Sequence, residues 1–229
     1  MLEEMKKRVC KANIALKDYG LITLTWGNVS EIDRKHGYVV IKPSGVSYEE
    51  MTPDDMVVID LDGNKIEGEL NPSSDTPTHL ELYRRFENIG GITHTHSRWA
   101  TIFSQCGLSL PALGTTHADN FYGAVPVTRK LTDAEIEEDY ELNTGRVIAE
   151  LFTPENVMEV PAALVCSHGP FIWGKSAKDS VENAVVLEEC AMMAWHTLTM
   201  NPNADFQKSL LDKHYLRKHG KNAYYGQKK

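Results

Sequence analysis

Two histidines separated by one residue are the strongest chemical signal in this sequence. His94 and His96 lie in a run of glycine, isoleucine and threonine over residues 90–97. That composition predicts a β-strand, in which residues i and i+2 project from the same face, about 7 Å apart. Two imidazoles at this spacing suit one metal ion. The alternative interpretation is that both are ordinary polar residues on a half-buried strand.

An open metal site needs about three protein ligands, so the third must come from a distant part of the chain. His168 is the best candidate. It follows a predicted apolar strand over residues 162–167 and precedes Gly169, whose small size leaves room for a ligand. Asp75, at a predicted helix start, is expected to add an oxygen ligand or to act as a base beside the ion. Such a ligand set suits zinc, manganese, cobalt or nickel.

Three short stretches of small and polar residues precede the histidines. They contain the pairs Gly27-Asn28, Ser44-Gly45 and Ser73-Ser74. Glycine exposes backbone N–H groups, serine adds hydroxyl donors, and a following helix N-terminus favours an anion. Lys42 adds a positive charge next to the second stretch. Each stretch alone is more typical of a plain loop, but together with the candidate metal site they indicate a phosphorylated small molecule as the substrate.

Composition excludes several classes of protein. The chain has 229 residues, 24 basic and 32 acidic, for a net charge of −8. An acidic surface argues against nucleic acid or an anionic membrane as the main partner. No apolar run approaches the roughly 20 residues of a membrane span. Four scattered cysteines and no secretory leader favour reduced thiols in a cytoplasmic protein.

The pattern of helices and strands predicts one α/β domain of the α+β type over residues 1–229. We expect three layers, αβα, around a mostly antiparallel sheet, because hairpins rather than regular βαβ units connect the strands. The predicted helices cover residues 2–17, 74–86, 98–105, 132–152, 176–200 and 205–218. The predicted strands cover residues 21–30, 38–42, 56–61, 65–69, 124–128, 162–167 and 171–174, besides the strand that carries His94 and His96.

These motifs, in this order, resemble the class II sugar-phosphate aldolases and epimerases, over nearly the whole chain. The stretches that carry the resemblance are Gly27-Asn28, Lys42-Pro-Ser44-Gly45, Ser73-Ser74-Asp75, His94-Thr-His96 and Ser167-His168-Gly169. Asp75 stands where fuculose-phosphate aldolases place a glutamate. With Thr116-His117-Ala118-Asp119 and the stretch from His214 to Tyr225, it makes the sequence most similar to the L-ribulose-5-phosphate 4-epimerases.

The resemblance implies a class II aldolase-like fold and a role for each matching residue. His94, His96 and His168 would bind a divalent metal, usually zinc, with Asp75 close enough to count as a ligand. Asp119 and Tyr225 would be an acid/base pair, with His214 in support. The family forms a C4 homotetramer with its site at a subunit interface, where the neighbouring subunit contributes the tyrosine. The substrate, chiefly its phosphate, would be held by Gly27, Asn28, Ser44, Gly45, Ser73 and Ser74.

The reaction of the epimerase branch inverts C4 of a phosphorylated ketopentose. The hydrogen on C4 is not adjacent to the C2 carbonyl and is not acidic, so simple deprotonation cannot invert that carbon. Transient oxidation would need a nicotinamide, and no G-x-G-x-x-G follows a predicted strand. The remaining route to inversion is cleavage and re-formation of the C3–C4 bond. Two alternatives stay open: an aldolase of the same fold that releases both fragments, and a non-catalytic adducin-like binding module.

Overall fold

A seven-stranded sheet lies at the centre of the structure, a computed structural model that describes residues 2–225. Its strands are β1 (Asn28–Asp33), β2 (Tyr38–Ile41), β3 (Val57–Asp60), β4 (Lys65–Glu67), β5 (Gly91–His94), β6 (Ala162–Val165) and β7 (Gly169–Gly174). The helices are α1 (Leu2–Asp18), α2 (Thr76–Arg85), α3 (Arg98–Cys106), α4 (Thr115–Ala118), α5 (Asp133–Ala149), α6 (Ala177–Met200) and α7 (Lys208–His219).

The strand order is β4-β3-β2-β1-β5-β7-β6, and every pairing between these strands is antiparallel. The hairpin from β3 to β4 turns at Asp62-Gly63-Asn64, as this turn chemistry predicts. In the middle of the sheet, Asn28 of β1 pairs with His94 of β5, which in turn pairs with Phe171 of β7. One row of paired residues therefore leads across three strands to the predicted metal ligands.

Helices cover both faces of the sheet. Alternate residues of a strand point to opposite faces, and Val39 and Val40 of β2 accordingly belong to two different hydrophobic clusters. One cluster packs α1, α3 and α6 against the sheet. The other packs α2 and α5 against the opposite face. The predicted three-layer αβα arrangement with an antiparallel sheet is confirmed.

Some predicted elements are wrong. Residues 21–27 are not a strand, because the backbone is left-handed at Leu24 (φ 53°) and Gly27 (φ 92°), and β1 begins only at Asn28. Residues 124–128 make only isolated bridges, Val125 to Leu110 and Val127 to Leu164. The last helix begins at residue 208 rather than 205. The prediction for the histidine strand also needs correction, since β5 ends at His94 and His96 lies beyond it.

Within residues 2–225, no helix combines the length and the apolar character needed to cross a lipid bilayer.

Candidate metal centre and active-site cavity

The three predicted histidine ligands converge. One ring nitrogen from each of His94, His96 and His168 lies within 4.8 Å of those of the other two. The Nε2 atoms of His94 and His96 are 3.1 Å apart. Three nitrogens bound to one zinc at about 2.0–2.1 Å in tetrahedral geometry lie roughly 3.3 Å from one another. The donor set thus fits a divalent ion of this kind.

Different elements bring the three imidazoles together. His94 is the last residue of β5, and His96 follows on the way into α3. His168 lies in the tight turn between β6 and β7, where Ser167 adopts a left-handed φ of 63°. Gly169 is required next to it, because a Cβ atom there would lie 2.8 Å from the carbonyl oxygen of Thr95. This contact brings the β6–β7 turn directly against the end of β5.

Hydrogen bonds and burial prepare the imidazoles for metal binding. His94 Nδ1 lies 2.9 Å from the carbonyl oxygen of Pro170, an acceptor that fixes the proton on Nδ1 and leaves Nε2 free. Burial, together with the nearby His94 and His96, lowers the pKa of His168 to about 3. The His96 ring is partly exposed, and its partial burial and the nearby His94 also lower its pKa. Neutral imidazole is the form that binds a metal.

Asp75 lies beside this cluster as an ionised carboxylate. It precedes α2 in the N-cap position, but its side chain makes no capping hydrogen bond. Instead Asp75 Oδ2 accepts the side-chain amide of Asn28 at 2.6 Å. Burial alone would raise the pKa of Asp75, but His94, His79 and the Asn28 amide outweigh it and lower the pKa below its ordinary value. The role of Asp75 as a fourth ligand stays a prediction.

The two serine-containing loops pair with each other near the carboxylate. The Ser44 N–H donates to the carbonyl of Asn71, and the Ser73 N–H donates to the carbonyl of Lys42. Asn28 Nδ2 also donates to Ser73 Oγ at 2.9 Å, while Asn28 Oδ1 is buried without a partner among the described residues. The side chains of Ser44 and Ser74 are exposed. These loops thus offer free hydroxyl donors and one unused acceptor.

The ammonium group of Lys42 stabilises the loop that carries Ser44. It donates to the carbonyls of Pro43 (3.1 Å) and Val46 (2.9 Å) and lies 4.8 Å from the centre of the Tyr48 ring. Burial lowers the pKa of Lys42 to about 8. The side chain therefore stabilises the loop and also borders the site.

One cavity of about 400 Å³ joins the histidine cluster to these loops. Its lining includes every predicted metal ligand and every predicted substrate-binding residue: Gly27, Asn28, Lys42, Ser44, Gly45, Ser73, Ser74, Asp75, His94, His96 and His168. Tyr140 and Glu141 also line it, and the sequence interpretation missed both. The only signal for them in the sequence is an aromatic residue at the end of an acidic run on a predicted helix, a pattern typical of a solvated helix face.

The remaining three candidates lie outside the lining of this cavity, in a cluster of their own. The Asp119 carboxylate, at the end of α4, accepts a hydrogen bond from His214 at 3.0 Å and from the guanidinium of Arg217 at 2.9–3.2 Å. Arg217 also lies 4.9 Å from the ring centre of Tyr225, and its carbonyl accepts the Tyr225 N–H at 3.1 Å. Asp119, His214 and Tyr225 are thus brought together with one another.

Hydrogen bonds keep Asp119 ionised. Burial by itself raises the pKa of this carboxyl. The hydrogen bonds from Arg217 and His214 and the charge of Lys218 lower the pKa by more than burial raises it, so the net shift is downward. Asp119 is therefore ionised near neutral pH, which is the form that a general base requires.

Known proteins share this fold. The L-fuculose 1-phosphate aldolase structure is 25% identical, with a TM-score of 0.79, covering 92% of this chain and 94% of that chain. The L-fuculose-1-phosphate aldolase of Thermus thermophilus is 26% identical, with a TM-score of 0.68, over 87% and 98% of the two chains. A sugar-phosphate aldolase from Thermotoga maritima shares the fold at 18% identity, with a TM-score of 0.65, over 87% and 97%.

The family model described as the Class II Aldolase and Adducin N-terminal domain matches residues 7–195. This match spans the sheet, the histidine cluster and the loops around the cavity. The chain therefore belongs to the class II aldolase and adducin N-terminal domain family.

Proposed function

We propose that this protein is a metal-dependent epimerase that interconverts L-ribulose 5-phosphate and D-xylulose 5-phosphate. The observation that carries the proposal is the single cavity in which three converging imidazoles meet two paired serine loops. A metal site next to donors of this kind suits a phosphorylated sugar. The inversion at C4 proceeds by cleavage of the C3–C4 bond, rotation of the aldehyde, and re-addition.

His94, His96 and His168 would hold the divalent ion, most suitably zinc, and Asp75 would add an oxygen ligand. Manganese, cobalt and nickel suit the same ligand types. When bound, the ion supplies a Lewis acid for the negative charge that develops on the ketone fragment. Asn28 holds Asp75 in place through its 2.6 Å hydrogen bond.

The phosphate is assigned to the loops. Exposed hydroxyls of Ser44 and Ser74 and the backbone at Gly27 and Gly45 surround the space beside Asn28 and Ser73. Lys42 holds its loop by two hydrogen bonds to carbonyls and contributes positive charge. A phosphate held here keeps the aldehyde fragment in the cavity while it turns.

Proton transfer is assigned to Asp119 and Tyr225, with His214 in support. One of the pair removes the proton of the C4 hydroxyl, and the other returns a proton on the opposite face of the aldehyde. Because neither residue lines the cavity of its own chain, the proposal requires them to reach the cavity of a neighbouring copy. We therefore propose a homotetramer of C4 symmetry with the site at the subunit interface.

An aldolase that releases both fragments is the second candidate, because two neighbouring structures at 25–26% identity are named fuculose-phosphate aldolases. Asp75, in place of the glutamate expected of such aldolases, favours the epimerase. An adducin-like binding module is disfavoured by the intact histidine cluster.

Incubation with L-ribulose 5-phosphate separates the three candidates. The epimerase forms D-xylulose 5-phosphate and releases almost no free dihydroxyacetone or glycolaldehyde phosphate. Release of those two fragments as the main products would contradict epimerisation and identify an aldolase. No turnover, together with no bound metal, would identify a binding module.

A further inference from the structure

The third histidine of the cluster differs from the first in its outer hydrogen bond. His94 Nδ1 faces the carbonyl of Pro170, which can only accept a proton. His168 Nδ1 instead lies 3.0 Å from the phenol oxygen of Tyr140, which can either donate or accept. Within residues 2–225, His168 Nδ1 has no other hydrogen-bond partner. The tautomer of His168 therefore depends on its contact with Tyr140.

Only one of the two tautomers can bind a metal at the cluster. If Nε2 is to offer its lone pair toward His94 and His96, the proton of the neutral imidazole must be on Nδ1. Nδ1–H must then donate to the Tyr140 oxygen. In metal sites, such an outer partner typically fixes the orientation and raises the basicity of the ligand.

The local backbone delivers Tyr140 to this position. Helix α5 is interrupted at Asp139 (φ −153°, ψ 72°), immediately before Tyr140. Residues 137–139 are exposed, whereas Tyr140 is half-buried with its ring roughly parallel to that of His168, at an interplanar angle of 24°. The Thr144 hydroxyl donates to the carbonyl of Tyr140 at 2.8 Å, which holds the residue after the break.

We propose that Tyr140 is a positioning residue for the metal: it accepts the Nδ1–H of His168 and holds Nε2 of that ring toward the ion. The inference rests on the proposed function only in that the histidine cluster binds a divalent ion. It does not depend on the identity of the substrate.

The test compares zinc affinity in two matched variants of the full chain, measured without substrate by competition with a chromophoric chelator. Tyr140→Phe deletes the hydroxyl at His168 and is expected to weaken zinc binding about 10–100-fold. Tyr122→Phe deletes a hydroxyl that hydrogen-bonds Asp212 at 2.7 Å, outside the lining of the cavity, and is expected to leave zinc affinity unchanged.

Equal zinc affinity in Tyr140→Phe and the wild-type protein would overturn the inference and leave the proposed function intact. A wild-type protein that bound neither zinc nor manganese, cobalt or nickel would overturn both. A second measurement, on the wild-type protein, tests the inference even if Tyr140→Phe fails to fold. In the zinc-loaded protein, ¹⁵N NMR of labelled histidine should show His168 protonated on Nδ1, and protonation on Nε2 would overturn the inference.

Discussion

The imidazole of His96 lies at the edge of the site rather than in the hydrophobic core. It is exposed, and its Nε2 lies 3.1 Å from that of His94. His96→Asn should therefore leave the free energy of unfolding within about 0.5 kcal/mol of the wild-type value. Metal affinity should fall by more than the roughly 10–100-fold typical of outer-shell changes, and turnover should fall with it.

Metal content per chain after dialysis, together with a denaturant unfolding curve, checks this prediction. His36→Asn is the matched control, because His36 lies in a turn and hydrogen-bonds Asp33 rather than the cavity. One tightly held ion per chain in His96→Asn would show that the cluster is not the metal site.

Arg217 sets the ionisation of Asp119. Its guanidinium donates to both carboxylate oxygens, and His214 and Lys218 face the same carboxylate, while His219 donates to the Asp119 carbonyl. A base loses activity as pH falls through its pKa. Because Arg217→Met removes a cause that lowers the pKa of Asp119, that pKa should rise, and the acid limb of kcat/KM should move to higher pH.

The pH profile of Lys208→Met serves as the comparison, because Lys208 pairs with Asp212 instead. Its acid limb should coincide with that of the wild-type protein. An unmoved acid limb in active Arg217→Met would contradict a role for the Asp119 carboxylate in proton transfer.

Residue types alone predicted the histidine cluster, because His94-Thr-His96 and His168-Gly169 follow apolar, strand-like runs. Tyr140 could not be predicted in the same way. The run from Glu135 to Asp139 is typical of a solvated helix face, and its last three members are exposed. The break in α5 at Asp139 turns the Tyr140 side chain inward, and no feature of the residue pattern predicts that break.

At the scale of elements, the approach of the loop before β1 to the end of β5 shapes the site. Gly27 has φ 92°, and a Cβ atom there would lie 2.8 Å from the carbonyl oxygen of His94. Gly27→Ala therefore adds a steric clash to the backbone strain. We expect it to cost about 2–4 kcal/mol of unfolding free energy and to weaken metal binding by displacing His94.

Gly37→Ala isolates the backbone component in the same denaturant titration. Gly37 has φ 71°, but nothing lies within 4 Å of the position of its Cβ. Gly37→Ala should lower the free energy of unfolding by about 1 kcal/mol and leave metal affinity unchanged. Equal costs for the two variants would contradict the close approach of the loop to β5.

Hairpin turns and helix caps were predictable because their signals are local. Thr132 precedes α5 and forms a capping box with Glu135, and Ser176 caps α6. The error over residues 21–27 has a tertiary cause. Leu21 is buried in the core, but Leu24 and Trp26 are exposed, so the loop does not follow the alternation of a strand.

At the scale of the whole molecule, the proposed site needs two copies of the chain. The histidines line the cavity, whereas Asp119 and Tyr225 lie in a separate cluster with α7. Mixing the inactive variants His96→Asn and Tyr225→Phe should then restore activity. After random reassembly in a cyclic oligomer, roughly a quarter of the interfaces combine an intact cavity with an intact tyrosine.

Recovered epimerase activity in the mixed sample, measured against each variant alone, checks the shared site. Activity no greater than the sum of the separate variants would contradict it. Sequence resemblance predicted this assembly. The structure of one chain supports a shared site because Asp119 and Tyr225 lie outside the cavity that the histidines line.

The most direct test of the central claim measures epimerase activity and metal content on the same sample. L-Ribulose 5-phosphate is the substrate, and a coupled assay follows D-xylulose 5-phosphate as a chelator removes the metal and zinc is then added back. Activity should fall in proportion to bound metal and return with one zinc ion per histidine cluster. Epimerisation that persists in a metal-free sample would contradict the account.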